Sequence, residues 1–418
     1  MRLVILFAVV SHVLANSDDI KIDSLPISAN FKPLEAGSTL VDRDRARFQQ
    51  LFKRREKRVS SVAIKNTAVH YTLSVGFGSP PTYYELLIDT GSAYTWIGAG
   101  KEFVETKTLV KQGNQSFYVA YGSGSAVGAH YKDFVSLSPS LNVTNKSFGV
   151  ASSTNGVDGS FDGILYNLLF IHRSHSTDPS FSGLGPATLG KNVVTPNNGK
   201  PIPTIMDALL AQKKIEQNVF GMSFAPTTSR GEVNGELTFG GPNPKKYIGK
   251  MNWVAITKKE PWNQYWGFEQ TIKYGNKTLQ PSSAGVLDTG TTLIYITPQA
   301  FKAYSDSLTG SKIDQSTKLL EIPKGSIDKM KSLFFVINGV SYEFTPNAQL
   351  WPRALNTALG GKPDGYYSVI SVLSDFEADT GSNFINGYVF LERFYTAYDA
   401  SKSRIGFAIT PLTFTNTN

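Results

Sequence analysis

Alternating apolar and polar residues begin near His70 and predict a chain built mainly from short strands. The sequence YTLSVGFGSPPTYYELLID is typical of a strand, a Gly/Pro turn and a second strand. In the second half, EQTIKYG predicts a strand, SAGVLDTGTTLIYI contains a strand-like run, and PQAFKAYSDSL predicts a helix that begins at Pro298. Because no long apolar stripe at helical spacing stands out, the pattern predicts an all-β fold.

Two apolar runs end in the same tripeptide, Asp-Thr-Gly. The first run leads into Asp89-Thr90-Gly91-Ser92, and the second leads into Asp288-Thr289-Gly290-Thr291. The two aspartates are 199 positions apart, and a hydroxyl residue follows each glycine. Duplication of half the chain predicts two lobes related by a pseudo-twofold axis, an N-terminal lobe over 59–245 and a C-terminal lobe over 246–418.

The duplicated carboxylates suggest a specific chemistry. Each strand would deliver its aspartate to a loop, and the glycine would let the other loop approach closely. If Asp89 and Asp288 meet, the two carboxylates cannot both ionise, and their pKa values separate. One aspartate would then stay protonated, while the ionised one acts as a general base toward a shared water molecule.

The N-terminal region predicts a secreted precursor. Residues 1–15 are typical of a signal peptide, with a basic start, a short apolar core and a small residue at the expected cleavage site. Residues 16–58 are predicted to be a removable prosegment that ends at a basic pair. Its charge-dense part, 43–58, is interpreted as a solvated helix or linker; a plain surface charge run is the alternative. Such a basic segment could cover an acidic cleft at neutral pH and leave in acid.

Composition excludes several classes of function. The chain has no cysteine and five scattered histidines, which argues against thiol nucleophiles and a zinc site, so we expect no metal and no cofactor. The net charge of +8 lies partly in residues 17–58, which carry ten basic and seven acidic residues, so nucleic acid is not an expected partner. The chain contains no run of about 18 apolar residues, so a membrane is not an expected partner. Four N-x-S/T sites are candidates for glycosylation: Asn114, Asn142, Asn145 and Asn276.

Several further motifs make residues 65–412 resemble the pepsin-like aspartic endopeptidases, in particular the cysteine-free secreted enzymes of wood-rotting basidiomycetes. The motifs are DTGSAYTWIG, YGSGS at 121–125, FDGIL at 161–165, GVLDTGTTLIYI, Ile385-Asn386-Gly387 and FYTAYDASKSRIGFA. The resemblance implies a bilobal double-barrel fold with a substrate cleft between the lobes. It also implies a monomer that takes protein or peptide substrates and binds pepstatin-type inhibitors.

The resemblance also implies roles for individual residues. Asp89 and Asp288 would be the catalytic pair, and Thr90 and Thr289 would lock their loops together. The supporting residues would be Gly91, Gly290, Ser92 and Thr291, of which the last two would bind the outer carboxylate oxygens. On the flap, Tyr121 would close over the substrate beside Gly122 and Ser123. Phe161 and Ile164 would line the pocket before the scissile bond, and Trp96 would pack beneath the flap.

Substrate preference follows from the same residues. Ser123 carries no charge that would attract a basic side chain, so we expect apolar or aromatic residues at the cut and activity at acid pH. An inactive, protease-like binding or inhibitor protein is the alternative. Retention of both aspartates, both threonines and the flap tyrosine argues against it.

The chain departs from the family pattern in two places. After Leu165 the family continues directly into a glycine, whereas here 166–182 intervene before Gly183-Leu184-Gly185-Pro186. These 17 residues correspond to 51 nucleotides in frame, and their ends can be encoded with a GTAT donor and a CAG acceptor. We interpret them as a translated intron; a genuine surface insertion is the alternative. The second departure is Ile385-Asn386-Gly387-Tyr388, where the family commonly has Ile-Leu-Gly-Asp, so the support of Asp288 is altered.

Overall fold

The structure, a computed structural model, describes residues 22–30, 39–45, 70–90, 94–121, 124–157, 161–166, 193–196, 202–229, 232–260, 262–373 and 383–418. The predicted signal peptide and most of the predicted insertion lie outside these residues, as does the charge run beyond Arg45. None of the described helices is long and apolar enough to cross a membrane.

Strands dominate the described part of the chain, as the alternating pattern predicts. They are β1 Asp23–Asn30, β2 His70–Phe77, β3 Thr82–Asp89, β4 Trp96–Ile97, β5 Val110–Tyr121, β6 Gly124–Ser136, β7 Asn142–Asn155, β8 Gly163–Tyr166, β9 Val194–Thr195, β10 Val219–Ser223, β11 Glu232–Phe239, β12 Ile248–Ala255, β13 Gly267–Tyr274, β14 Lys277–Leu287, β15 Ile294–Ile296, β16 Lys312–Ile313, β17 Leu320–Glu321, β18 Leu333–Ile337, β19 Val340–Phe344, β20 Ile370–Val372, β21 Phe384–Asn386, β22 Phe394–Asp399 and β23 Arg404–Ile409.

Helices are short. They are α1 at 40–45, α2 Ile205–Ala211, α3 Pro298–Asp306, α4 Lys324–Ile327 and α5 Tyr388–Leu391, with 3-10 turns at Trp262–Gln264 and Arg353–Leu359. Helix α3 confirms the predicted start at Pro298, because proline fits the first helical position and the Thr297 side chain accepts from Ala300 N–H.

In the described part of the chain, two large sheets form the body of the molecule. Fourteen strands make one sheet in the order β12-β23-β22-β10-β11-β1-β2-β3-β8-β4-β7-β6-β5-β9, and seven make the other in the order β19-β18-β13-β14-β21-β15-β20. Strand β1 lies between β11 and β2, antiparallel to both. Asp89 ends a strand of the larger sheet, and Asp288 directly follows a strand of the smaller one.

Each aspartate is delivered by the same three-stranded arrangement. In the larger sheet β3 lies parallel to β8, which pairs antiparallel with β4. In the smaller sheet β14 lies parallel to β21, which pairs antiparallel with β15. The repetition of this unit agrees with the half-chain duplication predicted from the sequence. Apolar side chains of both units are buried, including Ile88, Leu165, Leu287 and Ile385.

Candidate active site

The two aspartates lie at the ends of matched strands. Asp89 is the last residue of β3, and Asp288 follows the last residue of β14. Both side chains are buried, with 0% and 1% of their surface exposed. Two acids in such a site can exchange a proton with each other or with a small molecule held between them.

Thr90 and Thr289 join the two loops by reciprocal hydrogen bonds. Thr90 N–H donates to Thr289 Oγ1 at 3.1 Å, and Thr289 N–H donates to Thr90 Oγ1 at 3.0 Å. The Thr289 hydroxyl also donates to Ile88 O at 3.1 Å, and all of these groups are buried. The geometry therefore brings Thr90 and Thr289, the residues that follow the two aspartates, into direct contact.

The Asp288 carboxylate has partners within its own loop. The Thr291 hydroxyl donates to Asp288 Oδ2 at 2.6 Å, and Gly290 N–H donates to Oδ1 at 3.2 Å. A carboxylate that accepts such bonds is fixed in orientation. The corresponding residues of the first loop, Gly91 and Ser92, lie outside the described residues.

The register of the parallel strands places two residues level with the aspartates. Asp89 is paired with Tyr166, the residue that begins the predicted insertion. In the other unit Leu287 is paired with Asn386, so Gly387 is level with Asp288. A Cβ atom at Gly387 would lie 2.4 Å from Leu293 O and 2.7 Å from Thr291 O, so this position requires glycine.

The predicted flap is the hairpin of β5 and β6, in which Tyr121 is paired with Gly124. Gly122 and Ser123 at its tip, and the side chain of Tyr121, lie outside what the structure describes. Beneath the hairpin Trp96 is fully buried, and its ring centroid is 6.5 Å from that of Phe117 on β5.

The two predicted pocket residues differ in exposure. Ile164 is buried in a cluster with Leu87 and Trp96, whereas Phe161 is half-buried and packs against the same cluster. Phe161 therefore has the larger surface available to a bound ligand.

A buried amide pair, which was not among the predicted site residues, lies behind Asp288. Gln270 Nε2 donates to Asn386 Oδ1 at 3.2 Å, and Asn386 Nδ2 donates to Gln270 Oε1 at 3.0 Å. The main-chain carbonyl of Asn386 accepts from Asp288 N–H at 3.1 Å. The unusual Asn in Ile385-Asn386-Gly387 was the available signal, but its partner lies 116 positions away.

A second missed contact comes from the charge-dense N-terminal segment. The interpretation of this run as solvated is wrong for Arg43 and Asp44, which are 6% and 1% exposed. Asp44 accepts from Thr292 N–H and Leu293 N–H, just beyond the Asp288 loop, and pairs with Arg43. These partners offset part of the cost of removing the carboxylate from water.

Two buried titratable groups flank the strands of the site. Burial raises the pKa of Glu392 to about 8, against the opposing effects of Arg393 and the Tyr71 hydroxyl. Burial also lowers the pKa of His130 to about 4, helped by the charges of Lys146 and Lys132. The charge of His130 therefore changes in acid, near pH 4, whereas that of Glu392 changes near pH 8.

The glycosylation candidates differ in accessibility. Asn114, Asn145 and Asn276 are exposed, whereas Asn142 is half-buried and its amide donates to Pro139 O at 2.8 Å. Among the described residues no group of three or more His, Asp or Glu side chains could hold a metal ion.

Comparison with known proteins identifies the family. The family description "Eukaryotic aspartyl protease" matches residues 70–410. Polyporopepsin of Irpex lacteus is 42% identical over 86% of this chain and 99% of its own. Cathepsin E of Rattus norvegicus is 26% identical over 84% and 83%.

The solved structure of the aspartic proteinase from Irpex lacteus superposes with a TM-score of 0.76 at 37% identity, covering 95% of this chain and 100% of that one. The comparison confirms the predicted all-β, bilobal, pepsin-like fold. The chain belongs to the eukaryotic aspartyl protease family and is an aspartic-type endopeptidase.

Proposed function

We propose that Asp89 and Asp288 are the catalytic pair of an endopeptidase that cleaves proteins at acid pH. The observation that carries this proposal is the reciprocal hydrogen bonding of Thr90 and Thr289, which joins the two loops that bear the aspartates. Thr90 and Thr289 act by fixing the loops, and Thr291 orients the Asp288 carboxylate. Gly91, Gly290 and Ser92 complete the two turns.

The chemistry requires one proton shared between two acids. The ionised aspartate removes a proton from a water molecule as the water attacks the peptide carbonyl, and the protonated aspartate donates to the carbonyl oxygen. Collapse of the tetrahedral intermediate then transfers a proton to the leaving amine. No acyl-enzyme forms, and the step requires no metal or cofactor.

The substrate is an extended peptide bound between the lobes and covered by the flap. Residues 121–123 close over it, and the half-buried Phe161, supported by Ile164, contacts the side chain before the scissile bond. Because Ser123 is uncharged, the pocket favours apolar or aromatic side chains. The enzyme acts as a monomer and is inhibited by pepstatin-type transition-state analogues.

The N-terminal proposals concern maturation and secretion. Residues 1–15 direct secretion, and removal of 16–58 converts a precursor to the mature enzyme, in which the lobes comprise 59–245 and 246–418. Asn114, Asn145 and Asn276 accept glycans more readily than Asn142, whose side-chain amide is engaged.

We infer that residues 166–182 are absent from the active enzyme. Tyr166 occupies the register position that Gly387 occupies in the other unit, where a side chain would collide with carbonyl oxygens. Excision of 166–182 would place Gly183 directly after Leu165, at that same position. Splicing would thus restore the symmetry of the two units.

The test is hydrolysis of an unstructured protein between about pH 3 and pH 5, with and without pepstatin. We expect activity that pepstatin abolishes and that Asp89→Asn and Asp288→Asn each reduce by about 10²–10⁴-fold. Both variants should retain the fold. Absence of hydrolysis by well-folded protein lacking 166–182 would contradict the proposal and favour an inactive binding protein.

A further inference from the structure

We propose that Asp44, in the N-terminal segment, is a positioning residue for the loop that carries Asp288. The proposal rests on the function proposed above, in which this loop bears one of the two catalytic acids. It differs from a basic segment that covers the cleft, because here a carboxylate of the segment binds main-chain amides behind the catalytic loop.

The geometry is that of an anion held by converging donors. Thr292 N–H donates to both carboxylate oxygens of Asp44 at 3.1 Å, and Leu293 N–H donates to Oδ2 at 3.0 Å. The Tyr295 hydroxyl adds a bond of 3.3 Å, and the Arg43 guanidinium lies 3.2 Å from Oδ1. All the participating side chains are buried, so water does not compete for these donors.

The two amides that bind Asp44 belong to residues that directly continue the catalytic loop. Thr292 directly follows Thr291, whose hydroxyl donates to the Asp288 carboxylate. The carbonyl groups of the same residues accept from helix α5, through Tyr388 N–H to Thr291 O and Val389 N–H to Thr292 O. Asp44 therefore holds one side of a loop whose other side is fixed by α5.

After removal of the segment, the new N-terminal stretch offers no carboxylate in place of Asp44. The stretch that would follow a cut after Arg58, residues 59–69, contains no Asp or Glu, and the next acid is Glu85 in β3. Removal of 16–58 would thus remove the acceptor of both amides. The segment supplies, before maturation, a carboxylate contact for which residues 59–69 contain no equivalent side chain.

The contact should also depend on pH. Burial raises the pKa of Asp44, opposed by Arg43 and by the two amides and reinforced by the charge of Asp288. The other titratable groups that face it are Tyr295 from β15 and Tyr388 from α5. Acid that protonates Asp44 removes its attraction for Arg43 and weakens both amide bonds.

Hydrogen exchange at Thr292 and Leu293 tests the proposal directly. The full chain carries Asp89→Asn, so that it cannot process itself and the result does not depend on protease activity. We expect protection of both amides at pH 7, and a loss of about tenfold or more in protection at pH 4 after correction for intrinsic rates. In Asp44→Asn, whose side chain carries no charge, the protection should be at the reduced level of the pH 4 parent at both pH values.

Asp42→Asn is the matched control. Asp42 lies in the same helix, and its carboxylate accepts from the Thr39 hydroxyl, so the substitution changes the same charge without touching the catalytic loop. We expect it to behave as the parent, and amides of β22 and β23 to stay protected in every variant. Equal protection of Thr292 and Leu293 in the Asp44 and Asp42 variants at pH 7, or unprotected amides in the parent, would overturn the proposal. The comparison of amide protection in the parent at pH 7 and at pH 4 tests the same contact without any substitution at Asp44.

Discussion

At the scale of single residues, the Thr289 hydroxyl is important because it forms hydrogen bonds that join both loops. Thr289→Val keeps the shape but leaves the Thr90 amide and the Ile88 carbonyl without this buried partner, at a cost of about 1–3 kcal/mol for each group. Displacement of the loops should also lower kcat by about tenfold or more. Thr289→Ser, which keeps the hydroxyl, should retain most of both properties in denaturant unfolding and peptide hydrolysis. Equal behaviour of the two variants would contradict this role.

Glu392 makes a residue-scale prediction about pH. Its pKa in the folded state, about 8, lies above the ordinary value of 4.5, so the unfolded chain loses the proton first as pH rises. Its contribution to stability is therefore complete below about pH 4.5 and is lost as pH rises through about 8. Glu392→Gln, which is neutral at every pH, should melt at a higher temperature than the parent at pH 7.5 and equally at pH 4.

The control for that comparison is Glu260→Gln, since Glu260 is exposed. It should melt as the parent does at both pH values. A Glu392→Gln variant with the same loss of melting temperature between pH 4 and pH 8 as the parent would show that this carboxyl is not responsible.

At the scale of elements, the Gln270–Asn386 pair connects β13 to β21 behind Asp288. Asn386→Leu restores the side chain common in the family but leaves the Gln270 amide unpaired in the core, which should cost about 1–3 kcal/mol of unfolding free energy. The double variant Gln270→Leu, Asn386→Leu should cost less than the sum of the two single variants, because neither polar partner remains. Additive losses in urea unfolding would show that the two amides act independently.

The elements also show what the sequence could and could not predict. Strand alternation, the helix start at Pro298 and the two Asp-Thr-Gly turns are local patterns, and the structure confirms the predicted strands and helix. Asp44 and Thr292 are 248 positions apart, and no local pattern marks either as a partner of the other. Burial of Arg43 and Asp44 follows from where α1 docks, which the charge density of the run conceals.

At the scale of the whole molecule, the predicted insertion determines whether the two three-stranded units that carry Asp89 and Asp288 can have the same structure. Deletion of 166–182 should raise soluble yield and pepstatin-sensitive hydrolysis relative to the full chain, because it puts glycine level with Asp89. Both forms should be compared by size-exclusion chromatography and by activity near pH 4. Full activity of the undeleted chain, together with transcripts that all keep the 51 nucleotides, would contradict the interpretation.

Strand β1 has a consequence for the integrity of the larger sheet. It is paired over seven residues with β11 and over three with β2, so it joins two groups of strands in the described sheet. Loss of residues 16–58 would remove β1 and leave backbone donors and acceptors of β11 and β2 unpaired. Unpaired strand edges of this kind can pair with strands of other molecules. A chain expressed from residue 59 must therefore close the gap with its own new terminus, or it will assemble edge to edge with its neighbours.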